Sequence, residues 1–163
     1  MNDAVFVRQK HSFTVPEQLV VLLFFAWGSA FSCFGLINEQ QLFSQRLFLS
    51  VLLALLFVSA SSGLGWLLIP MAMLAFGVYS EWSVLEWLSE WSDHSFPALS
   101  SLIFQLFLTP IVLLAGMCAL RSSDALRAAI VHASPSARGE YQKGIVLSAV
   151  LVLLGLSSVF YFT

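Results

Sequence analysis

The stretch that decides the fold is LFLSVLLALLFVSASSGLGWLLIPMAMLAFGVY, residues 47–79, in which no side chain is charged. One straight helix of this length measures about 50 Å at ~1.5 Å per residue, whereas the hydrocarbon core of a bilayer is about 30 Å thick. The small residues SASSGLG interrupt its middle at residues 59–65. We therefore predict a tight hairpin of two membrane helices. A re-entrant hairpin, which returns to the side it came from, is the alternative.

The composition of the whole chain favours lipid as its solvent. Of 163 residues, 59% are hydrophobic and 10% are charged, against roughly 25% charged residues in soluble domains. The chain is too poor in polar side chains to cover a water-facing globule. We predict one all-α domain, a polytopic transmembrane helical bundle. Its five spans cover residues 17–37, 45–60, 64–80, 98–120 and 144–162.

Between the third and fourth spans lies a segment that is apolar on one side and acidic on the other. Val84, Trp87, Leu88 and Trp91 recur at helical spacing, and acidic residues fall on the opposite face. We predict an interfacial amphipathic helix over residues 81–94. Its anchors at headgroup depth are Trp82, Trp87 and Trp91.

Basic residues set the predicted orientation. Six of the seven lie in two segments, as Arg8, Lys10, Arg121, Arg127, Arg138 and Lys143. Because positive charge stays cytoplasmic, five spans place the N terminus and a loop over residues 121–143 inside, and the acidic helix and C terminus outside. Only Arg46 departs from this pattern. The expected location is a bacterial plasma (inner) membrane.

Small residues form two stripes suited to close helix packing. The first span carries Gly28, Ser32 and Gly35, and the fifth carries Gly144, Ser148 and Gly155. These stripes offer more close-packing surface than one small bundle needs. We therefore expect the chain to contact other membrane proteins or to self-associate. Cys33 and Cys118 fall near opposite ends of their spans, so we expect no disulfide between them.

Polar residues inside the spans are the remaining candidates for chemistry. One interpretation is that they line a polar path, and the candidates for it are Ser59, Ser61, Ser62, Gln105 and Thr109. A turn satisfied by its own serines and hydrogen bonds between helices are the simpler uses. The spacing of Glu90, Asp93 and His94 matches no established ligand motif, which favours a solvated polar face. We therefore predict no catalytic residue, no metal and no cofactor, and the absence of a basic stripe argues against nucleic acid.

Two segments carry a resemblance to a known family. They are GLGWLLIPMAMLAFG, residues 63–77, and PIVLLAGMCALR, residues 110–121. Both are similar to the glycine-rich and apolar segments of the stage II sporulation protein M family. Its members are multi-span proteins thought to be membrane scaffolds, and the sporulation member holds a peptidoglycan-remodelling complex. The resemblance implies a non-enzymatic bacterial membrane component.

These observations lead to one functional hypothesis and two alternatives. The hypothesis is a non-enzymatic scaffold or accessory subunit of a membrane complex. No ionisable residue falls deep in a predicted span, which argues against a proton-coupled transporter. The first alternative is a small oligomeric channel or carrier that uses the serine turn and Gln105. The second is a lipid-headgroup enzyme at the outer interface.

Overall fold

The computed structural model describes residues 17–33, 45–92, 97–132 and 135–162, and this part of the chain is helical apart from one turn at 62–64. Its elements are α1 (Glu17–Cys33), α2 (Gln45–Ser61), α3 (Gly65–Ser92), α4 (Pro97–His132) and α5 (Pro135–Phe162). The predicted all-α class is thus confirmed for the described residues.

The helix boundaries follow from local sequence. Prolines begin α4 and α5, where the missing N–H is one that a first turn leaves unpaired in any case. The break between α2 and α3 falls at the predicted small-residue turn, and the Leu64 carbonyl accepts the first bonds of α3, from the N–H groups of Leu67 and Leu68 at 3.0 Å. Pro70 lies inside α3 and Pro110 inside α4, and both helices continue past them.

Two predicted boundaries are wrong. The segment expected as a separate interfacial helix is continuous with α3, which runs from Gly65 to Ser92. Where a loop was expected over residues 121–143, the described residues 121–132 and 135–143 are helical. Both errors have one cause. Polarity marks where a helix leaves an apolar environment, whereas a helix ends only where its backbone or its residue propensities require it. The segment RSSDALRAAIV, residues 121–131, contains neither glycine nor proline.

Pairwise contacts show that α2 and α3, and likewise α4 and α5, run antiparallel. The rings of Phe48 and Tyr79 stack with centroids 5.6 Å apart, so the start of α2 lies beside the later part of α3. A Cβ added at Gly144 would meet Ser122, and one added at Gly155 would meet Ile111, which fixes α5 antiparallel to α4.

One end of the bundle gathers several chain segments, and we call it the turn end. It contains the α2–α3 turn, the residues around Asp124 in α4, and Tyr141 near the start of α5. Glu17, the first residue of α1, also lies near enough to Asp124 for an electrostatic interaction. The opposite end holds the Phe48–Tyr79 pair.

The interior is apolar and the outside is apolar too. Fully buried side chains include Leu53, Leu56, Met73, Phe76, Leu108 and Val112. Every helix also exposes large apolar side chains, among them Leu23, Val51, Met71, Phe107 and Leu153. A soluble protein rarely exposes apolar surface over contiguous areas of this kind.

The helices differ in whether they are long and apolar enough to cross a membrane. Among the described residues, two segments are long and apolar enough to cross a bilayer, Ile103–Val131 and Ser136–Tyr161. The apolar helices Glu17–Ala30, Arg46–Ser61 and Gly65–Glu81 are shorter. By this criterion the structure identifies two candidate spans, three fewer than the five predicted from the sequence.

Candidate functional site

The serines of the α2–α3 turn mostly use their hydroxyl groups locally. Ser59 donates to the Leu55 carbonyl at 2.6 Å. Ser61 donates to the Val58 carbonyl at 3.0 Å. The Ser62 hydroxyl is buried and has no hydrogen-bond partner. Two of the three candidate lining hydroxyls are therefore directed at the backbone of their own helix, as in the simpler of the two interpretations.

Polar groups from α4 and α5 hold the turn in place, and we call them the turn clamp: Ser123, Asp124, Arg127 and Tyr141. The Ser123 hydroxyl accepts a hydrogen bond from the Gly65 N–H at 2.9 Å. The Arg127 Nε donates to the Gly63 carbonyl at 2.5 Å. Because Ser123 and Arg127 are four residues apart, they share one face of α4. That face satisfies backbone groups that the end of α2 and the start of α3 leave unpaired.

An indole and a carboxylate form the next contact of the clamp. The Trp66 Nε1–H donates to Asp124 Oδ1. The charges of Arg127 and Glu17 also interact with this carboxyl group. A charge-assisted hydrogen bond is among the stronger polar contacts, so this pair joins the first turn of α3 to α4.

Small residues allow the helices to approach at this end. A Cβ at Gly65 would lie 2.5 Å from Ser123 Cβ, and one at Gly144 would lie 2.9 Å from Ser122 Cβ. Ser122 also donates to the Tyr141 carbonyl at 3.5 Å. The adjacent serines of α4 thus contact α3 on one side and α5 on the other.

The remaining lining candidates lie far from the turn. Gln105 is 8% exposed, and neither its amide nitrogen nor its amide oxygen has a hydrogen-bond partner. Thr109 is half-buried one turn later in α4. Gln105 precedes Ser123 by 18 residues, which is about 27 Å along the helix. The structure therefore does not bring the candidate lining residues together into one site.

Gly28 lies where α1 and α3 approach each other closely. A Cβ there would lie 2.1 Å from the Leu74 carbonyl oxygen, and a Cβ at Gly77 would lie 2.2 Å from the Phe25 carbonyl oxygen. Ser29 also donates to the Gly77 carbonyl at 3.3 Å. α1 and α3 thus meet backbone to backbone, as small residues permit.

The other packing candidates divide into inward-facing and undescribed residues. In α5, Gly144 faces Ser122, Gly155 faces Leu53 and Ile111, and Ser148 is buried with its hydroxyl unpartnered. This stripe therefore packs within the chain. Of the α1 stripe, the Ser32 side chain and Gly35 lie outside the described residues.

Several residues singled out from the sequence, or their side chains, lie outside the part of the chain that the structure describes. They are Cys33, Trp82, Trp87, Glu90, Trp91, Asp93 and His94. Cys118 has a free thiol and is half-buried. Among the described residues, no group of three or more histidine, cysteine, aspartate or glutamate side chains is placed to hold a metal ion.

The residues that hold the turn through polar contacts were not among the sites predicted from the sequence. Ser123, Asp124 and Trp66 were read as parts of a loop and of an apolar span. A signal was present, because SSD and Arg127 put serines, an acid and a base on neighbouring faces of one helix turn. Gly77 carried no signal of its own, since its partner lies on a distant helix.

Comparisons with known proteins add no relative. No family model, no curated protein and no solved structure matches this chain. The similarity to the stage II sporulation protein M family therefore stays a prediction, carried only by the two segments quoted above.

Proposed function

We propose that this chain is an integral membrane protein that acts as a non-enzymatic scaffold or accessory subunit. The observation that supports the proposal is the distribution of apolar surface, since all five helices present large exposed apolar side chains. In lipid such surface is solvated, and it is also available to other membrane helices.

We further propose that all five helices cross the membrane. A 17-residue helix such as α1 or α2 measures about 25 Å, near the lower limit of about 17 residues for a span. The antiparallel α2–α3 hairpin and the shared turn end agree with helices that alternate in direction. With the turn end inside, four exposed basic residues lie on the cytoplasmic side: Arg121, Arg127, Arg138 and Lys143.

The surface available to partner helices differs from the one predicted from the sequence. The small-residue stripes were expected to receive partner helices, but Gly28, Gly144 and Gly155 pack against α2, α3 and α4 of the same chain. A partner would therefore contact the outward apolar faces. α5 is the best candidate, because only 22% of its candidate span is buried, against 44% for that of α4.

Photo-crosslinking in native membranes tests the scaffold. A photoreactive amino acid is placed at one exposed position per helix, Leu23, Val51, Met71, Phe107 or Leu153, and at buried Leu56 as the control. A scaffold gives discrete protein adducts from one or two adjacent faces, foremost from α5, and none from Leu56. If every exposed position reacts with lipid alone, the scaffold proposal is wrong.

One observation favours the channel or carrier as a second candidate. An amide with two unpartnered polar atoms is costly in a low-dielectric interior, and polar residues kept there at a cost are often functional. The test is solute flux into liposomes that contain the purified chain. Flux that Gln105→Leu abolishes supports this candidate, whereas no flux with any tested ion or small solute removes it.

A further inference from the structure

An open groove follows the outward face of α5 near the turn end. It has a volume of about 500 Å³, and its described lining comes from Gln142, Lys143, Val146, Leu147 and Val150. These positions recur at spacings of four residues along two adjacent rows, so they form one continuous face of the helix.

The side chains that line this groove change in character along α5. Gln142 and Lys143 lie at the end nearer Tyr141 of the turn clamp, and both side chains are exposed. Val146, Leu147 and Val150 follow toward the middle of the helix and are 63%, 50% and 48% exposed. The surface of the groove is apolar throughout, so Gln142 and Lys143 line it with their hydrocarbon stems. Their amide and ammonium groups belong to exposed side chains beside it.

The end of the groove at Lys143 is open. One turn before Lys143, a Cβ added at Gly139 would meet nothing within 4 Å. An anionic group can therefore approach Lys143 from beyond the end of the groove. Arg138 and Glu140 precede Lys143 on α5, so the net charge of these three side chains is positive.

We propose that this groove binds one anionic phospholipid of the cytoplasmic leaflet. The phosphate lies at Lys143 and Gln142, and one acyl chain lies along Val146, Leu147 and Val150. Basic residues at the cytoplasmic edge of membrane helices attract anionic headgroups by about 1 kcal/mol each. The inference rests on the proposed membrane topology, in which the turn end is inside.

Charge distinguishes a lipid from a second copy of the chain. In a two-fold symmetric contact the same surface meets itself, so Lys143 and Arg138 of each copy would come close to their counterparts. Like charges brought together at an interface oppose association. An anionic lipid, in contrast, neutralises them and fills the apolar part with a single flexible chain.

The experiment measures lipid retention by the full-length chain. The protein is reconstituted in vesicles of equal parts phosphatidylglycerol and phosphatidylcholine, extracted in mild detergent, and examined by native mass spectrometry. We expect one phosphatidylglycerol retained in preference to phosphatidylcholine. Lys143→Gln should lower its occupancy about fivefold, the factor that corresponds to about 1 kcal/mol, and Lys143→Arg should restore it.

Matched controls separate the site from general effects. Arg46→Gln removes one exposed positive charge at the opposite end and should leave retention unchanged. Val150→Trp should displace the acyl chain and lower retention, whereas Val51→Trp adds the same bulk to the exposed face of α2 and should not. Circular dichroism verifies that each variant keeps its helical content.

Three results would overturn the proposal. They are equal retention of both lipids, retention unaffected by Lys143→Gln, and a dimer that Val150→Trp converts to a monomer, which would make a second copy the occupant. Extraction with alkaline carbonate distinguishes the two levels of inference. A chain released by carbonate contradicts the membrane proposal itself, whereas a chain that stays in the membrane without lipid selectivity contradicts only this site.

Discussion

Replacement of Gly28 by alanine tests the close approach of α1 and α3. The added Cβ would lie 2.1 Å from the Leu74 carbonyl oxygen, whereas ordinary contact begins at 3.4 Å. The helices must therefore separate by about 1.3 Å, the difference between these two distances. Because the obstacle is backbone, no side-chain rotation relieves it.

The expected cost combines two opposing terms. Overpacking of a tight interior costs about 1–3 kcal/mol, and a clash with backbone belongs at the upper end. Alanine gains about 1 kcal/mol over glycine in helix propensity. Gly28→Ala should therefore destabilise the fold by about 2 kcal/mol, and the separation should also weaken the ring contact between Phe25 and Phe76, whose centroids are 5.7 Å apart.

The assay is equilibrium unfolding in mixed micelles, followed by tryptophan fluorescence. Gly139→Ala is the matched control, because its Cβ meets nothing within 4 Å, and it should be neutral or stabilising by up to about 1 kcal/mol. The double variant with Gly77→Ala should cost less than the sum of the single variants, since the same separation relieves both clashes. Unchanged or increased stability of Gly28→Ala would refute the described crossing of α1 and α3.

Three further predictions concern the clamp, the buried amide and the topology. Trp66→Phe should destabilise the chain by about 1–2 kcal/mol in the same assay, because it removes a hydrogen bond to a carboxylate. It should cost clearly less in an Asp124→Ala background, which has no side-chain acceptor, and equal costs in both backgrounds would contradict the pairing. Gln105→Leu should stabilise by about 1 kcal/mol or more, since it removes two unpartnered polar atoms, and a loss of stability would mean that the amide has a partner in the membrane. A membrane-impermeant maleimide applied from outside to a cysteine-free background tests the crossing of α2 and α3 through three single cysteines: Arg46→Cys, Leu64→Cys and Leu88→Cys. The first and third should react and the second only after permeabilisation, whereas equal reaction of all three would show that these helices do not cross.

The hairpin could be predicted from sequence because its signals are local. An uncharged stretch too long for one span and a run of small residues at 59–65 indicate a turn there, and α2 ends at Ser61 as a result. The start of α4 at Pro97 followed in the same way from the proline. Each of these features depends on residues within a few positions of each other.

The contacts between helices could not be predicted, because they depend on residues far apart in sequence. The small residue expected beside Gly28 was Ser32 on the same helix, whereas its partner is the backbone of α3 near Gly77. The serines of the turn were weighed as a lining, but the groups that matter to the turn come from α4. The polarity of residues 121–143 predicts a loop. Polarity indicates which residues face water, however, and carries no information on where a helix ends.

The bonds that secure the α2–α3 turn also set an order of events during biosynthesis. Ser123 follows its donor, the Gly65 N–H, by 58 positions, and Arg127 follows its acceptor, the Gly63 carbonyl, by 64 positions. At about 5–20 residues per second of translation, the ribosome adds them on the order of 3–13 s after the turn. In the proposed topology, the nascent hairpin therefore enters the bilayer before these side chains exist. A ribosome stalled before residue 120 should carry a turn that proteases on the cytoplasmic side can cut, and resumed elongation should protect it.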